Sequence, residues 1–396
     1  MRVLLVTHET SRTGAPRVAI LVARGLVEQG HAVQILARSS GPLLPEFQSV
    51  APTSVEFLLR VRRKLRSIRG TRLIAYLLDT AVATATLLRR RADLVYVNST
   101  AAAIYLRPAR WLHRRVILHV HESGDLAEWF LAKSRANTLI ADVSVVACSP
   151  SVQAEIAVLI KRSVDAIPML PSVPDDAEVL RLSAEQPDHD YSPDEFVVGC
   201  CGAVEHRKGA DLWVEVARQV REATSDYPVR FVWVGEGIQS VRPDEESKIA
   251  FIGPSPNPYA HMRRFDVFTL PSRDDPFPLV VLEAMLLGTP VVAFAVGGVP
   301  QQVGDAGIVV PKGDVAAFAR EIVRLLKDEC EQRRLGSAAE ARVKDLYSTD
   351  SFIAVLSNLV ERETNHGRVG SAVDSRRTTL CAGARDPSGT ACGCDH

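Results

Sequence analysis

The fold is decided by residues 275–293, which read DPFPLVVLEAMLLGTPVVA. Two carboxylates, Asp275 and Glu283, stand on either side of a turn built on Pro-Phe-Pro. We expect a helix that opens at Glu283, ends at residues 288–290 and leads into an apolar strand. The unpaired N–H groups of a helix start form a seat for a diphosphate. Because ionised Asp and Glu only accept hydrogen bonds, carboxylates beside such a seat suit sugar hydroxyls.

Short aliphatic runs alternate with helical patterns along the chain, which predicts an α/β fold with parallel sheets and crossover helices. A helix is predicted at about 17–29, ending before Gly30. The predicted strands of the first half are 3–7, 33–37, 94–98, 116–121 and 143–148. Those of the second half are 197–201, 229–234, 249–252, 267–270, 291–294 and 307–309.

Four further motifs accompany the segment at 275–293. They are HETSRTGAP at 8–16, HVHE at 119–122, GAVEHRKG at 202–209 and GGVP at 297–300. In this order they resemble the retaining glycosyltransferases of family 4 over roughly residues 1–360. The donor-site signature of that family is Glu-x7-Glu, and Asp275 takes the place of the first Glu. The resemblance implies the GT-B fold, in which two doubly wound Rossmann-like domains face a cleft.

The domain boundaries follow from the strand pattern and from a Pro-rich, polar stretch in the middle. We predict an acceptor-side domain at 1–172, a linker at 173–194 and a nucleotide-sugar-binding domain at 195–344. By the resemblance, a helix at 345–365 returns to the first domain. The tail at 366–396 is rich in Gly, Ser, Thr and Arg and is expected to be disordered.

The acidic and basic residues of the second half receive their roles from the resemblance. Glu283 is expected to bind the ribose hydroxyls of the nucleotide, and Asp275 the hydroxyls of the donor sugar. Arg207 and Lys208 are expected to neutralise the diphosphate. The family often has an Arg at the position of Ala203, so Arg207 is a candidate to replace it. The alternatives are a helix-dipole role for Glu283, a solvated loop acid at Asp275 and a solvated basic turn.

Glycines and one histidine complete the predicted donor site. Gly14 permits close approach of the backbone to the donor phosphates, and Gly253 lies in a loop expected to influence base selectivity. The stretch from Phe277 through Pro278 and Leu279 to Val280 is expected to line the donor seat. His121 follows a strand and by resemblance contacts the donor sugar; a packing role is the alternative.

The residues beside His121 have less support for a direct role. His119 should face the opposite side of its strand, which favours a structural role. Glu122 is expected to orient His121 or to contact the acceptor.

Charge is unevenly distributed along the 396 residues. Residues 1–172 carry 23 Lys and Arg against 12 Asp and Glu, and the remainder carries 24 against 35. A basic first half favours an anionic partner. No recognised nucleic-acid motif accompanies the charge, so no nucleic-acid partner is expected.

A predicted helix at 58–72 has apolar residues at helical spacing, with Arg and Lys on its remaining faces. Such a helix can dock on an anionic membrane surface or pack against its own domain with its charges solvated. Seven scattered cysteines and an N-terminus unlike a signal peptide predict a cytoplasmic protein, peripheral at the inner membrane face if the helix docks.

Two short patterns could suggest a metal. Asp188-His189-Asp190 has Asp-x-Asp spacing but lies in the linker, and the tail at 392–396 reads CGCDH without a scaffold. Neither pattern predicts a metal site. The resemblance implies transfer without a metal or bound cofactor.

The predicted function is a hexosyltransferase-type, retaining transfer from a nucleoside-diphosphate sugar to an acceptor hydroxyl of a glycan or lipid-linked glycan. It fits glycan, glycolipid or cell-envelope polysaccharide synthesis. Two alternatives remain open: a GT-B nucleotide-sugar epimerase, and a non-catalytic GT-B protein that binds a glycan or a partner. The departures at Ala203 and Asp275 keep the second alternative open.

Overall fold

Two six-stranded parallel sheets form the centre of the protein. The computed structural model describes residues 1–56, 64, 68, 71–225, 228–237 and 249–377, with side chains up to residue 364. The chain divides into two compact units, Met1–Ser357 and Asn358–His396. The first unit holds both sheets, and the described part of the second unit continues the last helix.

The first sheet has the strand order β3-β2-β1-β4-β5-β6. Its strands are β1 (Arg2–Thr7), β2 (Ala32–Ala37), β3 (Thr53–Val55), β4 (Leu94–Asn98), β5 (Arg115–Val120) and β6 (Ser144–Ala147). Val and Leu make up most of β1 and β4, because helices cover both faces of a parallel sheet. The order reverses between β1 and β4, and ligands bind beyond the carboxyl ends of strands at such a switch point.

The second sheet repeats this arrangement with the order β12-β11-β10-β7-β8-β9. Its strands are β7 (Phe196–Cys201), β8 (Val229–Val234), β9 (Ile249–Gly253), β10 (Val267–Leu270), β11 (Val291–Phe294) and β12 (Ile308–Val310). Its switch point lies between β7 and β10, and those two strands precede Lys208 and Asp275 respectively. The two doubly wound domains predicted from the sequence are therefore confirmed.

Helices connect the strands and cover the sheets. In the first half they are α1 (Gly14–Glu28), α2 (Leu44–Val50), α3 (Arg72–Arg90), α4 (Leu106–Trp111), α5 (Gly124–Lys133), α6 (Pro150–Ile160) and α7 (Asp176–Ser183). In the second half they are α8 (Ala210–Ala223), α9 (Pro258–Met262), α10 (Leu279–Leu286), α11 (Val299–Val303), α12 (Val315–Leu326), α13 (Glu329–Leu346) and α14 (Thr349–Arg377). Among the described residues, no helix combines the length and apolar character needed to cross a bilayer.

An aromatic cluster fixes the part of the second domain that carries the loop after β7. Trp213 and Trp233 are fully buried, with ring centroids 5.2 Å apart. Trp213 Nε1 donates to Thr269 Oγ1 at 2.9 Å, and Trp233 Nε1 donates to the carbonyl of Gly202 at 2.8 Å. Each indole N–H therefore has an acceptor, which removes the cost of burying it.

Several expected boundaries differ from the observed ones. β3 was not predicted, because Thr53–Val55 is short and lies at the sheet edge. A helix predicted from residue 345 is interrupted: α13 ends at Leu346 and α14 begins at Thr349. α14 continues to Arg377, past the start of the tail predicted to be disordered.

Two predicted segments fall largely or wholly beyond the described residues. Of the basic helix at 58–72, only residues 64, 68, 71 and 72 are described. The cysteine-containing end of the tail at 392–396 is outside the described part of the chain.

Candidate functional site

A cavity of about 500 Å³ opens where the carboxyl ends of the two sheets meet. Most of the residues that the sequence singled out line it. They are Gly14, His121, Arg207, Lys208, Asp275 and the run 277–280. Glu283 and Gly253 are not part of this cavity wall.

The helix start that the sequence predicts as a donor seat is the start of α10. The structure corrects the prediction that a helix opens at Glu283: α10 begins at Leu279, so Glu283 lies in its second turn. A helix-dipole role for Glu283 is correspondingly weakened, because the dipole effect is confined to the first turn. No side chain caps the helix, and Leu279 and Val280 of its first turn line the cavity. The seat for an anion is therefore at Leu279, beside Asp275.

Asp275 is held in place by an ion pair. Its side chain is nearly buried, and Lys208 Nζ lies 2.5 Å from its Oδ2. Ser272 Oγ lies 3.5 Å from the same oxygen. Lys208 and Asp275 follow different strands, β7 and β10, so the pair exists only in the folded sheet. A buried carboxylate without this cation would carry a large desolvation penalty.

The loop that carries Asp275 packs closely against the GGVP motif at 297–300. A Cβ on Gly297 would lie 2.0 Å from the carbonyl oxygen of Asp275, and one on Gly298 would lie 2.4 Å from Phe277 Cδ2. Gln302 Nε2 donates to the carbonyl of Pro278 at 3.1 Å. The two glycines therefore permit a close backbone approach that fixes the donor seat.

Arg207 lies at the rim of the cavity and is about half exposed. Its guanidinium donates to the Asp274 carbonyl at 3.0 Å and to Glu205 Oε1 at 2.9 Å. The bond to Asp274 joins the loop after β7 to the loop after β10, and the bond to Glu205 stays within the loop after β7. The position lets Arg207 reach an anion in the cavity, but its present partners are protein groups.

Glu283 is buried behind Arg17, a residue of α1 that the sequence analysis did not single out. Glu283 is only 1% exposed. Arg17 Nη1 is paired with Glu283 Oε1, and Nη2 donates to the hydroxyl of Tyr259. Tyr259 Oη lies 3.4 Å from Glu283 Oε1. Burial raises the pKa of the Tyr259 phenol, so this hydroxyl stays neutral.

Gly14 brings the first domain towards the donor seat. A Cβ on Gly14 would lie 3.8 Å from Leu279 Cδ1 at the start of α10. Asn98 at the end of β4 donates to the Ala15 carbonyl at 2.8 Å, which anchors the loop to the sheet. The loop therefore approaches the start of α10, and its approach to donor phosphates stays a prediction.

His121 is oriented by Asn98, which the sequence analysis did not identify. His121 Nε2 lies 3.0 Å from Asn98 Oδ1, so this nitrogen carries the proton in the arrangement that satisfies both groups. Burial lowers the pKa of His121 well below its usual range. The ring is therefore a neutral hydrogen-bonding group at the cavity wall.

The carboxylate of Glu122 accepts its hydrogen bonds from groups of the protein. Its carboxylate accepts hydrogen bonds from the hydroxyls of Ser99 and Thr100 and from the backbone N–H groups of Thr100 and His121. Glu122 therefore contacts the His121 backbone while Asn98 contacts its ring, and a contact of Glu122 with the acceptor stays a prediction. Glu122 also holds together the loops that follow β4 and β5.

His119 lies directly behind His121, with ring centroids 4.0 Å apart. The expected alternation of faces fails because β5 ends at Val120, so His121 no longer follows the strand. His119 is fully buried; Nε2 lies 3.0 Å from the Leu170 carbonyl and Nδ1 lies 2.9 Å from Tyr96 Oη. When Nε2 carries the proton it donates to the Leu170 carbonyl, and Nδ1 accepts from Tyr96 Oη. Both nitrogens then have partners within the protein, so the role of His119 is structural.

Acid should destabilise the protein through His119. Burial lowers its pKa from the usual 6.5 to about 4, so below about pH 6.5 the unfolded chain binds a proton that the folded chain excludes. We expect the free energy of unfolding to fall as pH drops from 6.5 towards 4. In His119→Phe the protein should be less stable at pH 7.5, with a shallower fall. Urea unfolding at several pH values measures this, and an equal slope in both proteins would contradict it.

Gly253 and Asp188 of the linker motif each contact other parts of the protein, and the donor-site role of Gly253 stays a prediction. The Gly253 carbonyl accepts from Gly235 N–H at 2.8 Å. Asp188 of the Asp-x-Asp motif lies 2.6 Å from Nε2 of buried His261 and contacts Ser255. Within the described ranges, no group of three or more His, Cys, Asp or Glu side chains could hold a metal ion.

Comparison with known families agrees with this geometry. The model described as Glycosyltransferase Family 4 matches residues 12–168, and the one described as Glycosyl transferases group 1 matches residues 195–328. The chain belongs to the family 4, group 1 glycosyltransferases. In this family assignment, the first match begins at the Gly14 loop and the second contains Lys208, Asp275 and Glu283.

Curated relatives are similar over only part of their length. A 2-deoxystreptamine N-acetyl-D-glucosaminyltransferase of Streptomyces fradiae is 32% identical over 184 residues, which are 44% of this chain and 42% of the relative. An N-acetyl-alpha-D-glucosaminyl L-malate synthase of Bacillus anthracis is 30% identical over 129 residues, which are 31% of this chain and 34% of the relative. The chain thus spans about a third to two fifths of these relatives of its glycosyltransferase family.

Solved structures show the same fold. The Anabaena protein Alr3699/HepE, in complex with UDP and glucose, has a TM-score of 0.71 at 18% identity, covering 91% of this chain and all of that one. A sucrose-phosphate synthase from Thermosynechococcus elongatus has a TM-score of 0.71 at 20% identity, covering 92% and 99%. These neighbours support the GT-B architecture of the family.

Proposed function

We propose that this protein is a retaining glycosyltransferase that moves a hexose-type sugar from a nucleoside-diphosphate sugar to an acceptor hydroxyl. The observation that carries the proposal is the Lys208–Asp275 pair beside the uncapped start of α10, in a cavity that the Gly14 loop also lines. One group suits the leaving phosphates, and the other suits the hydroxyls of the sugar. The relatives' names and the UDP complex of the HepE structure are consistent with this chemistry.

The diphosphate is proposed to sit on the first turn of α10. Lys208 neutralises charge on the departing phosphate, and Arg207 is the second cation within reach. Stabilisation of charge that develops in the transition state is usually the largest contribution to such catalysis. Asp275 then shares Lys208 with the donor and accepts hydrogen bonds from the sugar. Under this proposal the cations of the chain take the role of a metal, and no cofactor is needed.

The proposed transfer takes place on one face of the sugar. The bond from the anomeric carbon to the phosphate oxygen breaks as the acceptor oxygen forms its bond to the same carbon. The acceptor proton passes to the departing phosphate oxygen, so the nucleoside diphosphate and the glycoside balance the reaction. Neutral His121 at the cavity wall is proposed to position the donor sugar by hydrogen bonding. The protein mainly orients the reactants and stabilises charge.

Product analysis by NMR tests this function. The purified protein would be incubated with UDP-glucose, UDP-N-acetylglucosamine and GDP-mannose, with and without candidate glycan acceptors. The proposal predicts release of nucleoside diphosphate and a product with the anomeric configuration of the donor. A sugar epimerised while still attached to its nucleotide would instead identify an epimerase. Absence of both reactions, from folded protein that binds a glycan, would favour the non-catalytic alternative.

The acceptor is proposed to be a glycan or lipid-linked glycan presented at the inner face of an anionic membrane. The excess of positive charge in residues 1–172 supports this placement. On α3, directly after the basic segment, Leu73, Ile74 and Leu77 are 49%, 55% and 56% exposed. Buried free thiols at Cys148, Cys200 and Cys201 fit a reducing compartment such as the cytoplasm.

We expect the protein to sediment with vesicles containing phosphatidylglycerol and to stay unbound with phosphatidylcholine alone. Replacing Leu73, Ile74 and Leu77 together by Ser should lower the bound fraction several-fold, because less apolar area enters the interface. Val158→Ser is the matched control, since Val158 is 80% exposed on α6. Equal sedimentation of the triple variant and the control would show that α3 is not part of the docking surface.

A further inference from the structure

The contact between Arg17 and Glu283 blocks the carboxylate that the proposed function assigns to ribose. Arg17 lines the cavity, whereas Glu283 lies behind it and is 1% exposed. Arg17 also lines a second cavity of about 280 Å³, which Tyr259 and Leu279 share. Its guanidinium therefore stands between Glu283 and both open spaces.

The contact also joins the two domains. Arg17 belongs to α1 of the first domain, and both of its partners, Glu283 and Tyr259, belong to the second. Two further bonds cross the same cleft: Arg12 Nη1 donates to the Pro256 carbonyl at 2.8 Å, and Ser123 Oγ donates to Asp274 Oδ2 at 3.1 Å. Of these three links, the one from Arg17 ends on the proposed nucleotide-binding residue.

A ribose and Arg17 compete for the same acceptor. Arg17 Nη1 and Tyr259 Oη both contact Glu283 Oε1. Ribose hydroxyls need acceptor oxygens, and an ionised carboxylate offers only acceptors. Since Arg17 covers Glu283, a nucleotide can reach this carboxylate only after the guanidinium moves.

We infer that Arg17 covers the ribose-binding carboxylate of Glu283 in the donor-free protein and is displaced by the nucleotide. Donor binding therefore breaks an ion pair between the domains. This inference rests on the proposed function, because it needs Glu283 to be the ribose ligand. The binding-competent form is then only a fraction of the donor-free protein, and the apparent nucleotide affinity is reduced by that fraction. Removing Arg17 should tighten nucleotide binding.

Arg24 provides a matched control on the same helix. It forms ion pairs with Asp175 and, at 3.0 Å, with Glu46, two residues that lie outside α1. Arg24 contacts neither Glu283 nor the start of α10. Its loss removes a similar ion pair of α1 without exposing the proposed ribose site.

The test is calorimetric titration of wild type, Arg17→Met and Arg24→Met with UDP, GDP and ADP. For the nucleotide that wild type binds, we expect a Kd at least about five-fold lower in Arg17→Met and within two-fold in Arg24→Met. An unchanged or higher Kd in Arg17→Met overturns the inference while the proposed function stands. If Arg17→Met does not fold, Arg17→Lys replaces it, with a two- to three-fold lower Kd expected and an unchanged Kd overturning the inference. If no protein binds any nucleotide, the proposed function fails and the inference fails with it.

A second measurement needs no nucleotide. Thermal unfolding of Arg17→Met, Glu283→Gln and the double variant tests whether the pair forms in the donor-free protein. We expect each single variant to lower the Tm. The Tm loss of the double variant should be clearly smaller than the sum of the two single losses, because both substitutions remove the same ion pair. Additive losses would show that the pair is absent and would overturn the inference directly.

Discussion

Lys208→Met should lower kcat by about 100- to 1,000-fold, the size of effect seen when a charge-stabilising donor is removed from a transition state. Lys208 Nζ lies 2.5 Å from Asp275 Oδ2, in the loop that follows β7, and both residues line the cavity beside the proposed seat for the diphosphate. Methionine keeps the apolar stem but loses the charge. The loss should fall mainly on kcat, because negative charge on the departing phosphate grows in the transition state.

The matched control is Lys344→Met. Lys344 pairs with Glu340 on α13, and its side chain is 56% exposed. Its removal should leave the rates unchanged, because exposed pairs contribute little. Steady-state kinetics with a common donor, together with circular dichroism to verify folding, would decide the matter. A folded Lys208→Met protein with kcat within three-fold of wild type would exclude Lys208 from the charge-stabilising role.

Gly209→Ala should destabilise the protein by at least about 3 kcal/mol and abolish activity, an effect outside the usual range for a surface position. Gly209 is the N-cap residue of α8 and has φ of +76°. A Cβ there would lie 2.0 Å from the carbonyl oxygen of Pro271. Both the left-handed backbone and this close approach demand glycine. The displaced backbone belongs to the loops that carry Lys208 and Asp275, so the site would be lost together with the stability.

Gly313→Ala separates the cost of the left-handed backbone from the cost of the close approach to Pro271. Gly313 has φ of +80°, but nothing lies within 4 Å of a Cβ at that position. This variant should lose only the backbone preference, about 1–2 kcal/mol. Urea unfolding of both variants gives the comparison. Equal losses would show that the approach to Pro271 carries no additional cost.

The sheets were predictable because their strands are nearly pure aliphatic runs. The positions of β1, β4 and β7 through β11 follow from such runs. The strand order was not predicted, because the crossover rule fixes the hand of a connection and not which strands become neighbours. β3 escaped prediction because Thr53–Val55 carries one aliphatic residue and is held only by pairing with β2. The start of α10 was misplaced because Pro278, which occupies the position just before the helix without a capping hydrogen bond, was assigned to the preceding turn.

Site residues that belong to a sequence motif were predicted. Site residues that are brought there only by a tertiary contact were missed. Lys208 and Asp275 were expected at one site, and the structure pairs them. Arg17, Tyr259 and Asn98 gave no local signal. Arg17 lies 266 positions from Glu283 and 242 from Tyr259, and Asn98 lies 83 positions from Ala15. For Arg17, its place one turn into α1, just after the Gly14 loop, was the available clue.

The central claim is that the start of α10, with Glu283 in its second turn, binds a nucleoside diphosphate. Calorimetric titration of wild type and Glu283→Gln with UDP, GDP and ADP tests it most directly. We predict saturable, one-to-one binding of at least one nucleotide by wild type, weakened at least about ten-fold in Glu283→Gln, since an amide is a poorer acceptor than a carboxylate. Folded wild type that binds none of the three, or equal affinity in the variant, would contradict the account.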